Sequence, residues 1–263
     1  MGHPETQQDP GPTDEDYPLR VFEPVFPGEH EYEGVSWNDL VHEPGESFEA
    51  YRYGYKRGTA LRTIRLWPME KPAKKTRQCL DLAREFLEIA FSSEVTVMDP
   101  LETPPGSFNR AFEQYDANAV LNGMIRDTAV DHVSELNLAV TVEDLYASRR
   151  AYVFGYADYV HHVGVISLNR LGGEHDVSLT QRRLLKLIRH EVSHMYGMAH
   201  CIQPSCIMRG ASTRDEADSI PLHMCPSCAA KLAWRIGDDG HQRNTALAAF
   251  YKAHFAGYLE KRL

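Results

Sequence analysis

Nothing in the sequence approaches the eighteen or so consecutive apolar residues that a membrane-spanning helix needs, so no membrane association is expected. The N-terminus, Met1-Gly2-His3-Pro4-Glu5-Thr6, has neither a basic n-region nor an apolar h-region. That gives no secretory signal and points to the cytoplasm, with the nucleus also compatible. Gly2 and Thr6 match the outline of a myristoylation pattern, but Pro4, Glu5 and the lack of nearby basic residues make a poor anchor. Basic residues are scarce at this end: residues 1–50 hold 13 Asp and Glu against Arg20 alone, a charge of −12. The whole chain carries −9, so everything after residue 50 is close to neutral at +3. An acidic leader ahead of a near-neutral body offers no broad surface for nucleic acid, and no such partner is expected. Cysteine is also sparse, with five residues, four of them between Cys201 and Cys228. In a reducing compartment clustered cysteines hold metal more often than they form disulfides.

What remains is an ordinary globular composition, 43% hydrophobic and 25% charged, in a chain of 263 residues. That length buries a substantial core, and a monomer is expected. Residues 1–18 read as a disordered acidic leader. Residues 19–55, rich in Pro, Gly, Glu and aromatics, read as an irregular arm whose Trp37 and neighbouring rings can pack onto a core. Residues 56–263 form the main domain. Within it, Thr59–Leu66, Glu94–Met98, Leu136–Val142, Tyr152–Tyr156 and Gly164–Leu168 have the short apolar character of strands, the last two able to pair. Lys75–Phe91 has apolar residues at helical spacing, and Tyr115–Val130 also reads as a helix. Further helices are expected near Pro226–Ile236 and Thr245–Leu259. Strands alternating with helices up to residue 170 indicate an α/β (α+β) fold, a mixed sheet with helices against it.

A long helix begins near Ser178, where Ser178-Leu179-Thr180-Gln181 fits a capping box, and stops at Gly197. It carries His190-Glu191-Val192-Ser193-His194. Histidines four apart lie on one helical face, so both imidazoles can reach one ion. Glu191 is turned about 100° away, too far to join them but placed beside a water on that ion. Gly197 lets the chain leave the helix in a left-handed conformation, and His200 can then return to the metal. HExxHxxGxxH thus supplies three ligands, a base and the turn between them. Zinc takes neutral imidazole nitrogen at about 2.0–2.1 Å and lowers the pKa of its water to about 7. Glu191 would accept a proton from that water and return it to the leaving amine.

Cys201, Cys206, Cys225 and Cys228 follow the spacing C-x4-C and C-x2-C. Four thiolates can close a tetrahedral structural zinc site; two disulfides are the alternative. Cys201 directly follows His200, so the two residues would serve different ions and the cysteine site would fix the loop that presents His200.

The extended motif resembles that of the metzincin clan of zinc peptidases, in which a methionine turn lies beneath the metal; Met208 is the residue at the matching place. Within the clan, the roughly 40 residues from His190 to Cys228 look like the archaemetzincins: HExxHxxGxxHC, then Cys206-Ile207-Met208, then Cys225-Pro226-Ser227-Cys228. The resemblance implies an upper lobe to about residue 197, with a mixed, mostly parallel sheet and two long helices, and a small lower lobe over 198–263. It implies two zinc ions, a catalytic one on His190, His194 and His200 and a structural one on Cys201, Cys206, Cys225 and Cys228. It also implies hydrolysis of a peptide or unfolded-protein substrate, aligned by an edge strand near 152–156 or 164–168. The rival reading is a catalytically idle two-zinc scaffold that binds peptides or proteins. Among the remaining titratable residues, His161, His162, His223 and Tyr196 are assigned no role, and Cys79 is read as a small core residue. Arg182, Arg183, Lys186 and Arg189 are expected on a solvated face paired partly with the acidic leader.

Overall fold

The computed structural model describes Trp37, Val41 and residues 43–259, apart from 128, 148–149 and 173–176, with side chains as far as 256. The leader read as disordered, and the first half of the arm, lie outside the described residues. The arm that is described contains a short helix, α1 (Phe48–Gly54), where Ser47 accepts a hydrogen bond from the Ala50 N–H. Its Tyr51 is buried and donates its hydroxyl hydrogen to the Tyr196 carbonyl at 2.7 Å.

Among the described residues the main sheet has five strands, β1 (Thr63–Pro68), β2 (Glu94–Val97), β5 (Leu136–Thr141), β8 (Gly155–Asp158) and β9 (Val163–Ser167), in the order β2-β1-β5-β9-β8. The first four of that order run parallel and β8 runs antiparallel to β9, with Gly155 opposite Ile166. The fold is therefore mixed α/β with a mostly parallel sheet, as expected. Strands β5 and β9 are buried at every position, which is why they read as continuous apolar runs rather than alternating ones. Successive side chains still point to opposite faces. Leu136, Leu138, Val140 and Ile166 join one apolar cluster with α2 (Lys74–Phe91) and α4 (Val177–Met195). Ala139, Val163 and Val165 join another with α3 (Ala117–Arg126). The two long helices thus share one face of the sheet.

Several boundaries differ from expectation for local reasons. Helix α3 starts at Ala117 because Gln114–Asp116 pairs as a strand, β4, and the Asp116 carboxylate caps the Asn118 and Ala119 N–H groups. It ends at Arg126. Helix α4 is described from Val177 onward, so Ser178 lies inside it and is not its cap; Ser178 Oγ accepts from Arg182 at 2.9 Å, and Thr180 donates to the Gly172 carbonyl. The expected strand Tyr152–Tyr156 is two strands. Its first half belongs to β7 (Arg150–Val153), which pairs with β6 (Asp144–Ala147) in a second sheet ordered β3-β4-β6-β7, with β3 at Phe108–Asn109. Its second half is β8, which pairs with β9 as the pairing expectation required.

Beyond Gly197 lie α5 (Arg214–Ser219), α6 (Pro226–Ile236) and α7 (His241–Leu259). Helix α6 matches its expected span, whereas α7 begins four residues earlier than expected. Helix α7 packs back on α2 through Phe86 and Phe250, whose rings lie 5.6 Å apart. The basic stretch of α4 is not a solvated face. Arg183 pairs with Asp218, Lys186 donates to the Ala217 and Asp218 carbonyls at 3.1 and 3.0 Å, and Arg189 is buried, donating to the Leu222 carbonyl at 2.9 Å. These cations hold α5 and the segment after it onto α4, satisfying carbonyls that burial would otherwise leave unpaired.

Candidate metal centres

His190 and His194, one turn apart near the end of α4, bring their Nε2 atoms to within 2.9 Å of each other. Each ring is fixed from behind. His190 Nδ1 meets the Ile207 carbonyl at 2.9 Å, and His194 Nδ1 meets the Met198 carbonyl at 2.7 Å. After Met195 the chain reverses: Gly197 N–H bonds the His194 carbonyl at 2.7 Å and Met198 N–H bonds the Ser193 carbonyl at 3.1 Å. Gly197 has φ +81°, the left-handed conformation that favours glycine. Space makes a second demand there, since a Cβ on Gly197 would lie 1.9 Å from the Tyr55 hydroxyl oxygen. Beyond the reversal His200 comes back with its ring centroid 5.2 Å from His190 and 4.7 Å from His194. Its Nδ1 meets Glu43 Oε1 at 2.6 Å.

One nitrogen from each ring can therefore face a common point, the three lying within 4.8 Å of one another. Burial pushes all three imidazoles below their ordinary pKa, His194 and His200 well below it. They are neutral at pH 7, the form that binds zinc. Glu191 is buried beside them, and burial pushes its carboxyl up to about 8 against the lowering pull of the Arg150 guanidinium. Room for it depends on β8, because a Cβ on Gly155 would fall 2.6 Å from Glu191 Oε1. The three histidines and Glu191 line a cavity of about 520 Å³, with β7 and β8 on one side and Gly210–Ser212 and α5 on the other. The edge strand of the main sheet at this cavity is β8, while 164–168 falls largely on the interior strand β9.

The four cysteines form a second cluster, with Cys201 Sγ and Cys225 Sγ 3.7 Å apart. Four sulfurs about 2.3 Å from a tetrahedral centre lie roughly 3.8 Å from each other, so the spacing suits a zinc. All five cysteines are free. Hydrogen bonds from the Cys206 and Cys228 thiols hold Cys201 far below the ordinary thiol range, while Cys206 is pushed up to about 12 and Cys228 higher still. Sulfurs this close cannot all be charged without a cation among them. The chemistry of the donor set therefore fits a metal. Cys225 is the N-cap residue of α6 and Cys228 lies in its first turn, so the start of one helix sets the spacing of this pair.

Cys206, Ile207 and Met208 tie the clusters together. Cys206 belongs to the sulfur set, the Ile207 carbonyl holds His190, and the Met208 carbonyl accepts from Cys201 N–H at 2.8 Å. Met208 is fully buried in the main apolar cluster with Met195, Met198 and Met224. Residues set aside from sequence stay apart from both clusters. His161 contacts Asp158 at 3.2 Å, His162 contacts the His132 carbonyl at 3.2 Å, and His223 faces Ser205 at 3.3 Å. Tyr196 is core, its hydroxyl donating to the Leu61 carbonyl at 2.7 Å. Cys79 packs against the core from α2, and burial pushes its thiol up. Sequence reasoning missed Glu43, Tyr55, Arg150 and Gly155. Glu43 is one of 13 acidic residues in its stretch, with nothing in its local pattern to set it apart.

The family model described as peptidase family M54 matches residues 94–234, more than half of the chain. The chain belongs to peptidase family M54. It is a zinc metallopeptidase of the archaemetzincin type. The archaemetzincin of Aeropyrum pernix is 31% identical over 182 residues, covering 68% of this chain and 97% of that protein. That of Haloquadratum walsbyi is 32% identical over 165 residues, covering 60% and 91%. Two crystal structures share the fold at 26% identity. The archaemetzincin of Methanopyrus kandleri has a TM-score of 0.59, covering 68% of this chain and 97% of that one. The archaemetzincin of Archaeoglobus fulgidus, complexed with malonate, has a TM-score of 0.56, covering 64% and 99%. Glu43, Trp37 and Tyr55 lie outside the segment that the family model matches.

Proposed function

We propose that this chain hydrolyses peptide bonds with His190, His194 and His200 holding a catalytic zinc and Glu191 acting as general base, while Cys201, Cys206, Cys225 and Cys228 hold a second, structural zinc. The observation that carries this reading is the convergence of one ring nitrogen from each of three histidines, each ring held through its Nδ1, beside a buried Glu191 on the wall of a cavity. Zinc at such a site polarises a carbonyl and lowers the pKa of a coordinated water to about 7. Glu191 takes a proton on a carboxylate oxygen from the attacking water and passes it to the departing amine nitrogen. Burial raises its carboxyl pKa above that of an exposed glutamate, and the charge of a zinc on the three histidines would draw it back toward the carboxylate form that accepts the proton. The cavity wall at β8 belongs to a strand with one side unpaired among the described residues, so an extended peptide can add there through main-chain hydrogen bonds.

The test is digestion of a peptide library by wild type and Glu191→Ala in parallel, with zinc counted per chain. The variant keeps two zinc ions and loses turnover by about 10²–10⁴-fold, the usual share of general acid–base catalysis. Undiminished cleavage by the variant would show that Glu191 is not the base.

A further inference from the structure

We propose that Glu43, carried by the N-terminal arm, is the positioning residue for His200 and makes that arm a working part of the histidine site. The inference rests on the reading that His200 is a zinc ligand.

The three imidazoles are not supported alike. His190 and His194 lean on main-chain carbonyls within the same 20-residue neighbourhood, at Ile207 and Met198. His200 leans on a side chain 157 residues earlier in the chain, at 2.6 Å. A carboxylate accepting the Nδ1–H fixes the tautomer, aims the Nε2 lone pair at the ion and raises the ring's basicity. It also sets a negative charge behind a ligand of a dication, which a main-chain carbonyl does not.

Glu43 is itself held in place, as a positioning residue must be. Its Oε2 accepts the Trp37 indole N–H at 3.1 Å. The Trp37 ring meets His200 edge-on, with centroids 4.9 Å apart. The same indole lies so close to Gly210 that a Cβ there would fall 2.1 Å from a ring carbon. The Trp37 N–H bonds both Glu216 oxygens at 3.0 and 3.1 Å, and Glu216 in turn accepts from Ser212 N–H at 2.9 Å. The arm is thus clamped to the segment after Met208 on one side and to His200 on the other. Because binding energies are reciprocal, an arm that tightens the metal is tightened by it.

The test measures zinc affinity at both sites of the full chain by chelator competition, in wild type, Glu43→Gln and Glu43→Ala. Glutamine keeps an acceptor and loses the charge; alanine loses both. The expected result is weakening of the histidine-site zinc by about 10–100-fold in Glu43→Ala, with Glu43→Gln between it and wild type. The cysteine-site zinc, as the internal control, keeps its wild-type affinity. If Glu43→Ala does not fold, Glu43→Gln, nearly equal in shape, carries the measurement. Wild-type affinity at the histidine site in the folded variants overturns the proposal, and so does equal weakening of both zincs, which marks a merely structural contact. A wild-type chain that binds one zinc only, lost on mutating the cysteines, refutes instead the underlying reading of the three histidines and the inference with it.

Discussion

Replacing Gly197 by alanine tests two separable demands on one residue. The first is conformational: φ is +81°, and a side chain in the left-handed region costs about 1–2 kcal/mol. The second is steric, because the new Cβ would lie 1.9 Å from the Tyr55 hydroxyl oxygen and 2.2 Å from its Cζ. Tyr55 has little freedom to retreat. Its ring lies 4.8 Å from that of Tyr51, the Arg235 guanidinium sits 4.6 Å over its face, and its carbonyl accepts the Trp234 indole N–H at 2.8 Å. Forcing such a neighbour aside costs about 1–3 kcal/mol. A total near 3 kcal/mol lowers the thermal midpoint of a chain this size by roughly 6–12 °C. Calorimetry at fixed zinc concentration measures it, with Tyr55→Ala and the double variant completing a cycle. The double variant should recover the steric part and leave the backbone part. Strict additivity of the two substitutions would refute the claim that Tyr55 occupies the space at Gly197, and a midpoint unchanged in Gly197→Ala would refute both parts.

Cys206→Ser should release the cysteine-site zinc and also weaken the histidine site, because the Ile207 and Met208 carbonyls next to it hold His190 and Cys201. Metal analysis finding the histidine-site zinc as tightly held as in wild type would count against this coupling. Asp218→Asn should destabilise the protein at neutral pH in a way that disappears in acid. Burial raises the Asp218 pKa, but hydrogen bonding and charge from Arg183, with Lys186 and Arg214, more than reverse this and leave it lowered. A lowered folded-state pKa gives stability that is present above the unfolded value of about 3.9 and lost as pH falls through the folded value. Urea unfolding midpoints of variant and wild type should therefore differ at pH 7, begin to approach each other near about pH 4 and meet only once pH has fallen below the folded-state pKa; a gap unchanged across that range would mean the ion pair with Arg183 is not its source.

The elements read best from sequence were those governed by near neighbours. Helix α2 and helix α6 follow from 3.6-residue periodicity and from Pro226 at a helix start, and β5 from its unbroken apolar run. Errors arose where a distant partner redirected a segment. Phe154 marks a change of partner, from β6 on one side to β9 on the other, that no local pattern encodes. The arginines of α4 read as a solvated face because sequence does not show that α5 and Leu222 lie over them.

By itself the sequence picked out the three histidines and four cysteines that come together in two clusters. The spacing of His190, His194 and His200 around Gly197, and of the four cysteines, is a local property of one helix, one turn and two short loops. Tertiary structure alone decided what stands behind and beside those donors: Glu43 behind His200, Tyr55 in the space that Gly197 leaves open, and Gly155 making room for Glu191. The physical reason is one of range. Periodicity and spacing register residues a few positions apart, whereas these contacts join residues separated by 36 to 157 positions and exist only once the sheet, α4 and the arm have packed.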